Sequence, residues 1–485
     1  MKSAKSSTYL YDFNSLLQVA NVIICGLIIY LYFVKGNNDY VNIFTLVLVC
    51  LFAIENIGIL SYEHRRRNPF ILILVLVSMV FYMARIATIL HLPASAQILW
   101  FASITVTDLN FSLLFILLCN AAMFLGFYVG GKYDVNRKNI ICEDHAPKIF
   151  NAIILILVII VLSFFSLYDK GLIGRLNSYT QAYIFNQQII ILFTITMFTY
   201  HYNKISLPFR TLFVAIFSIL ALLMTSHGSR SGILSIIMFL FMGVLAVKQK
   251  VMISRKLIII GLILIPISLV IFVTSTFKRQ MSISDRVTTE HLRLFDWYNI
   301  LEPISFEERL GMIYERTGFL DFSTELIANS QKFEGIINEK YYIKSIIDNG
   351  LTPGFDVFNI PRASNALSYI RIGIPIPDKS QIKEAYHSDQ MGIYGEYYVL
   401  FYGYPALAVF FLSALMFQRA LVSFQTANVL LSSLYRVVLF NLFYLFMNSF
   451  GMDWFIFDII AAVITTLLFA RYYVSNRKSE VPVSA

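Results

Sequence analysis

The sequence predicts an all-α, polytopic integral membrane protein with about twelve transmembrane helices and one large, mostly helical external loop. Three observations carry that prediction. Hydrophobic residues make up 58% of the chain and charged residues only 14%, whereas a soluble domain carries about 25% charged residues. The apolar residues gather into segments of roughly the 20 residues needed to cross a ~30 Å hydrocarbon core, and the mean hydropathy of the chain is +0.70. The mixed polar and charged sequence is concentrated in a single run, Thr276–Gln390.

In chain order the predicted spans are Leu17–Val34, Val41–Ser61, Pro69–Leu90, Asn110–Gly130, Lys148–Leu167, Ile184–His201, Leu207–Ser226, Gly232–Val247 and Lys256–Ser275, then Met391–Phe417, Ser432–Ser449 and Trp454–Arg471. This divides the chain into residues 1–275 with nine helices, a loop over 276–391, three further helices over 392–475 and a tail over 476–485. The polar stretch ahead of the first span lacks a small-residue cleavage pattern, so the first span reads as an anchor.

Cytoplasmic loops retain an excess of Lys and Arg. With the N-terminus inside, inward segments hold twenty such residues, among them Arg65, Arg66, Arg67, Lys248 and Lys250, and the short outward loops hold four: Lys35, Lys170, Arg175 and Arg230. Both termini are therefore expected inside and the large loop outside. The net charge of +9 reflects this topology. It does not point to nucleic acid, because the large loop carries sixteen acids against thirteen bases.

Of the four cysteines, Cys25, Cys50 and Cys119 fall in spans and Cys142 in an inward loop, so none staples the outer loop and no metal-ligand spacing appears. Within the loop, Ser305 to Glu308 reads as a capping box, followed by Leu310, Ile313 and Tyr314 on one helical face. Ile336, Ile337, Ile343, Ile346 and Ile347 mark a second short helix. From Asn349 to Asp378, Pro353, Gly354, Pro361, Gly373, Pro375 and Pro377 predict irregular loop. The spans show no inverted repeat of the transporter kind.

A charge inside the hydrocarbon costs roughly 2.5–3.5 kcal/mol on insertion scales and asks for a partner or a purpose. Arg85, Asp108, Glu396, Asp453 and Asp458 fall in or beside the outer halves of their spans, which predicts an outward-opening polar cavity; the alternative for each is an ion pair or a helix end. Glu55 stands apart, nearer the inner end of the second span.

The most specific short stretch is His227-Gly228-Ser229-Arg230-Ser231-Gly232, the outward turn that opens the eighth span. Free N–H groups at a helix start suit an anion, glycines permit close approach, and arginine grips phosphate oxygens in a bidentate manner. A simple turn with Arg230 reaching to lipid headgroups is the competing reading. Arg175, in the run Gly171 to Arg175, is a weaker second case. At the return of the loop to the membrane stands Ala385-Tyr386-His387-Ser388-Asp389-Gln390, where His387 is suited to proton transfer near neutral pH and Asp389 or Glu396 to orienting it. Arg279 and Arg293, at the start of the loop, add cations to the same surface. The sequence contains no phosphate loop, H-E-x-x-H or G-x-S-x-G motif.

This arrangement resembles the Wzy-type O-antigen and oligosaccharide repeat-unit polymerases of the bacterial inner membrane. The resemblance rests on the many spans, the late large loop, the Gly228-to-Gly232 turn and the stretch from Gly395-Glu396 to Gly403. It extends over essentially the whole chain and rests on layout more than on identity. It implies a GT-C-like, metal-independent glycosyltransferase without a cofactor, acting at the periplasmic face. Its substrates would be undecaprenyl-pyrophosphate-linked donor and acceptor oligosaccharides, and a chain-length-regulating co-polymerase is a further implied partner. Arg230, with Gly228, Ser229, Arg279, Arg293 and Arg175, would hold pyrophosphate, and His387, or Asp389 or Glu396, would serve as base. The related O-antigen ligases share the plan, but His387 is followed by Ser388 where ligases usually carry Asn. A lipid-linked oligosaccharide flippase is the non-enzymatic alternative, and has no evident need of so large a loop.

Overall fold

The computed structural model describes residues 10–35, 39–66, 68–92, 103–131, 187–202, 205–208, 210–211, 231–248, 252–254, 319–351, 357–371, 375–378, 392–423 and 429–447, together with 452, 455–456, 459–460, 462–464 and 466. The architecture is an all-α bundle with a pair of three-residue strands. In order the elements are β1 (Leu10–Asp12), α1 (Phe13–Lys35), α2 (Ile43–Arg66), α3 (Pro69–Val77), a π-helical turn (Ser78–Met83), α4 (Ala84–His91), α5 (Val106–Gly130), α6 (Gln187–His201), α7 (Ser231–Lys248) and β2 (Met252–Ser254). They continue with α8 (Phe319–Ala328), α9 (Ser330–Glu334), α10 (Glu339–Ser345), a second π turn (Ile346–Leu351), α11 (Ala363–Arg371), α12 (Ile393–Leu400), α13 (Ala406–Ser423) and α14 (Val429–Met447).

Six helices among the described residues are long and apolar enough to cross a membrane: Phe13–Lys35, Ile43–Glu63, Pro69–His91, Val106–Gly130, Ala406–Ser423 and Leu430–Met447. They correspond to the first four, the tenth and the eleventh of the predicted spans. The fifth and ninth predicted spans, most of the seventh and the capping box at Ser305 lie outside the described residues.

β1 pairs antiparallel with β2, so the start of α1 and the end of α7 share one end of the bundle. Phe13 packs on Phe241 with ring centroids 4.9 Å apart. Asn14, opening α1, donates to the Leu60 carbonyl near the end of α2. Asn68 caps α3 by accepting from the Phe70 amide, and its side-chain amide donates to Gln418 Oε1 near the end of α13. These contacts define a strand end and, opposite it, a far end where α4 finishes and α2, α5 and α13 begin. At the far end Thr45 donates to Asn110 across the starts of α2 and α5 at 2.7 Å.

Close packing fixes α13 on α5. A methyl group placed at Gly126 would collide with the Phe411 carbonyl and stand 2.9 Å from Ala414 Cβ, and one at Gly130 would stand 2.8 Å from Gln418 Cβ. Small residues that let backbones approach are the usual means of association where lipid removes the hydrophobic drive between helices.

Two boundaries differ from the prediction. Met391–Phe417 is not one span: α12 stops at Leu400, and the chain turns through Tyr402 (φ 54°) and Gly403 (φ 92°) before α13 starts at Ala406. A continuous apolar run conceals the turn from hydropathy, although Gly403 and Pro405 mark it. The stretch after Asn349 is not all irregular, because α11 forms and buries Ala363, Ala366, Leu367 and Ile370 against Tyr342 and Leu326. Its prolines flank the helix and leave its interior intact.

Candidate functional site

The described residues between β2 and α13 do not simply lie across the bundle. Phe319, the first residue of α8, packs on Phe81 in the π turn at 4.6 Å between centroids. That π turn occupies the middle of the span Pro69–His91, so α8 begins at about half depth. α12 enters to the same level. Tyr394, its second residue, donates to Asn120 Oδ1 at 2.6 Å, and Asn120 donates to Ser78 Oγ at 3.1 Å. Asn120 stands two residues beyond the midpoint of α5, Leu118. From there α12 rises toward the far end, where Tyr398 meets Phe115 at 4.9 Å.

α8 and α12 are therefore half-length helices whose starts meet inside the bundle. Gly392, at φ 64°, makes the meeting possible: a Cβ there would stand 2.6 Å from Ser323 Oγ and 2.9 Å from the Tyr82 hydroxyl. Broken helices at membrane depth are tolerated where protein covers the interrupted backbone, and Tyr394 and Ser323 are buried. The adjoining π turn widens the third span locally, a distortion that often marks functional positions.

One turn further out, Arg85 and Asp321 meet with side chains 1% and 0% exposed. Arg85 Nη2 donates to Asp321 Oδ2 at 2.6 Å, Nε reaches both carboxylate oxygens at 3.1 and 3.2 Å, and Nη1 donates to Thr88 Oγ1 at 2.9 Å. The fork geometry suits a guanidinium and a carboxylate. The sequence leaves Arg85 without a named partner, yet Asp321 is legible as a carboxylate in the apolar stretch Phe319 to Ala328. Charge complementarity between two such residues is the signal that could have joined them.

Glu396, also 1% exposed, lies on α12 and not in a spanning helix. Its Oε1 accepts from the Tyr342 hydroxyl at 3.0 Å and from the Met452 amide at 2.8 Å. The carboxylate thus ties α10 of the inserted segment to the chain that follows α14. Asp108 closes a capping box with Thr105 at the start of α5. Asp453 and Asp458 lie outside the described residues.

Above this core the insert is held by short-range bonds. Asp348 accepts from the Phe358 and Ile360 amides, and Asn349 donates to the Ile360 carbonyl. At the surface, Tyr402 donates to Glu339 at 2.7 Å; this hydroxyl holds the Glu339 carboxyl below its ordinary value, and the same contact pushes the Tyr402 phenol up.

Of the residues expected to hold pyrophosphate or act as base, the structure describes Glu396. Arg230, Gly228, Ser229, Arg279, Arg293, Arg175, His387 and Asp389 lie outside the described residues. Two of these groups adjoin described helix starts in sequence. Arg230 immediately precedes Ser231, and His387 and Asp389 precede Gly392. α7 runs toward the strand end, since Phe241 meets Phe13 and the Ala246 carbonyl accepts from Arg436. Ser231, ten residues before Phe241, therefore stands about 15 Å nearer the far end.

Fold and site together define an all-α membrane protein whose inserted helical segment enters one end of the bundle to half depth and is fastened there by buried polar contacts. Comparison with protein-family models, curated proteins and solved structures finds no match.

Proposed function

We propose that the protein polymerises undecaprenyl-pyrophosphate-linked oligosaccharide repeat units at the outer face of the bacterial cytoplasmic membrane. The growing glycan leaves its lipid pyrophosphate and joins a hydroxyl of the next lipid-linked unit. The observation that carries this reading is the helical insert fastened into one end of the bundle by Arg85–Asp321 and Glu396. A fixed insert gives a surface on which two lipid-linked substrates can be aligned, whereas a carrier that alternates between faces gains nothing from such fastening. The large-loop layout and the Gly228-to-Gly232 turn support it from the sequence.

In the reaction the bond from the anomeric carbon to the phosphate oxygen breaks, and a bond from that carbon to the acceptor oxygen forms. The electron pair leaves with the pyrophosphate, and the acceptor proton passes to a base. The demand is for positive charge aimed at the departing oxygens, which Arg230, with Gly228 and Ser229 and with Arg279, Arg293 or Arg175, would supply without a metal. His387 takes the proton, assisted by Asp389. Glu396, with its Oε1 engaged twice, is assigned a positioning role.

The test is the size distribution of lipid-linked and surface glycan in a deletion strain before and after the gene is restored. Single repeat units in the deletion strain and a restored ladder support the polymerase. Long lipid-linked chains that fail to reach their final acceptor indicate a ligase, and units held on the cytoplasmic side indicate a flippase; either result overturns the proposal.

A further inference from the structure

Glu55 lies in the second span, Ile43–Glu63, two residues beyond its midpoint at Ala53 and hence about 3 Å along the axis from the centre of the hydrocarbon. Its Oε2 is buried and has no hydrogen-bond partner among the described residues. An ionised carboxylate there would forgo hydration with nothing to replace it, a cost of several kcal/mol that is relieved when the group binds a proton.

Among the described residues, the helices packed against α2 present no compensating charge to Glu55. α1 presents Cys25, which faces Cys50 of α2 at 3.9 Å between sulfurs. α3, Pro69–Val77, has no titratable side chain. α5 presents Cys119, and α12 presents Tyr394, both in electrostatic contact with Glu55. Thiols and phenols are neutral at physiological pH, so none offsets a negative charge. Arg85 is committed to Asp321, and Glu63 on the same helix accepts from Asn14. A metal cation is a poor fit, since hard cations require several oxygen ligands and no metal-holding group of His, Cys, Asp or Glu side chains occurs among the described residues.

We propose that Glu55 is a proton-binding site at the centre of the membrane: a carboxyl carried in its protonated form and able to exchange its proton, reached along the lipid-facing edge of α2. Val47, Leu51 and Ile54 form an exposed stripe on that helix at 50%, 45% and 66%, and Glu55 borders it. The inference does not rest on the glycan reading.

A protonated carboxyl in lipid adds to a hydrophobic carbodiimide, giving its proton to a carbodiimide nitrogen and its oxygen to the central carbon; rearrangement leaves a stable N-acylurea. The experiment treats the full chain, reconstituted in lipid nanodiscs, with dicyclohexylcarbodiimide across a pH series and maps adducts by peptide mass spectrometry. The expected result is an adduct on Glu55 that falls about tenfold per pH unit once the pH passes the value at which the carboxyl ionises. The E55Q variant, which mimics the neutral acid, is expected to lack the adduct and to keep the melting temperature of the parent. No adduct at any pH, with the exposed Glu339 labelled by a water-soluble carbodiimide as the control, overturns the proposal. So does a large loss of thermal stability in E55Q, which would reveal a partner for the ionised carboxylate.

Discussion

The Arg85 guanidinium and the Asp321 carboxylate, 236 residues apart in sequence, form a buried ion pair with three hydrogen bonds between them. It joins the third span to α8, the first described helix of the inserted segment, one turn outward of mid-depth. Desolvating two charges is expensive, and the pair returns that cost only while both members are present.

Removing one partner is therefore more harmful than removing both. R85A or D321A is expected to lower stability by about 3–5 kcal/mol, whereas the apolar double variant R85M/D321L should recover most of that loss. Thermal unfolding in detergent followed by near-UV circular dichroism reads the difference. Equal destabilisation by the single and double variants would show that the charges are not coupled.

The contact of α5 with α13 depends on the absence of side chains at Gly126 and Gly130. G126A forces a methyl against the Phe411 carbonyl and Ala414, and is expected to cost about 1–3 kcal/mol by overpacking. The control G58A, where nothing lies within 4 Å of the added carbon, should show no such cost. The same melting experiment compares them.

Glu396 serves as an acceptor for Tyr342 and Met452. E396A leaves both donors buried and unanswered and should cost about 1–3 kcal/mol, while E396Q retains an oxygen in place and should be milder. In glycan assays a positioning role predicts that E396Q keeps measurable polymer, whereas H387A abolishes it. A complete loss in E396Q at normal expression would return Glu396 to the list of bases.

Cys25 and Cys50 face each other across α1 and α2 with sulfurs 3.9 Å apart. In membranes treated with copper phenanthroline, oxygen is expected to take two electrons from the pair and leave a disulfide. A protease site engineered between Lys35 and Ile43 would then yield fragments that separate only under reduction. Fragments that separate without reductant would disprove the register of α1 on α2.

Arg230 is the first substitution for the glycan reading. R230A is expected to leave expression intact and to stop elongation, giving single repeat units on gels of surface glycan. Normal chain length in that variant would remove Arg230 from the mechanism.

The pH response of the insert follows from Tyr402 and Glu339. A carboxyl held below its ordinary value contributes stability that is present above that value, about pH 4.3, and is lost as pH falls through the lowered one. The bond from the turn between α12 and α13 to α10 is thus expected to persist through neutral pH and to release in strong acid. Proteolysis near Tyr402 as a function of pH, compared with Y402F, checks it.

The class of the protein was legible in the sequence because lipid imposes a local rule. A stretch of about 20 apolar residues satisfies the bilayer whatever surrounds it, so the spans beginning near Leu17, Val41, Pro69 and Asn110 could be read by composition and length. Isolated charges were equally visible, since Arg85, Glu55 and Glu396 stand out against apolar neighbours. Their partners were not. A hydropathy window averages over neighbours in sequence, and the ion pair of Arg85 with Asp321 or the bonds of Glu396 to Tyr342 and Met452 join residues far apart along the chain. The same averaging ran α12 and α13 together, because the turn at Tyr402 and Gly403 is a matter of backbone dihedral angles and barely alters hydrophobicity. Sequence alone settled that these helices belong to a membrane protein; tertiary structure decided that the inserted segment reaches half depth, because only packing brings Gly392 against Ser323 and Tyr394 against Asn120.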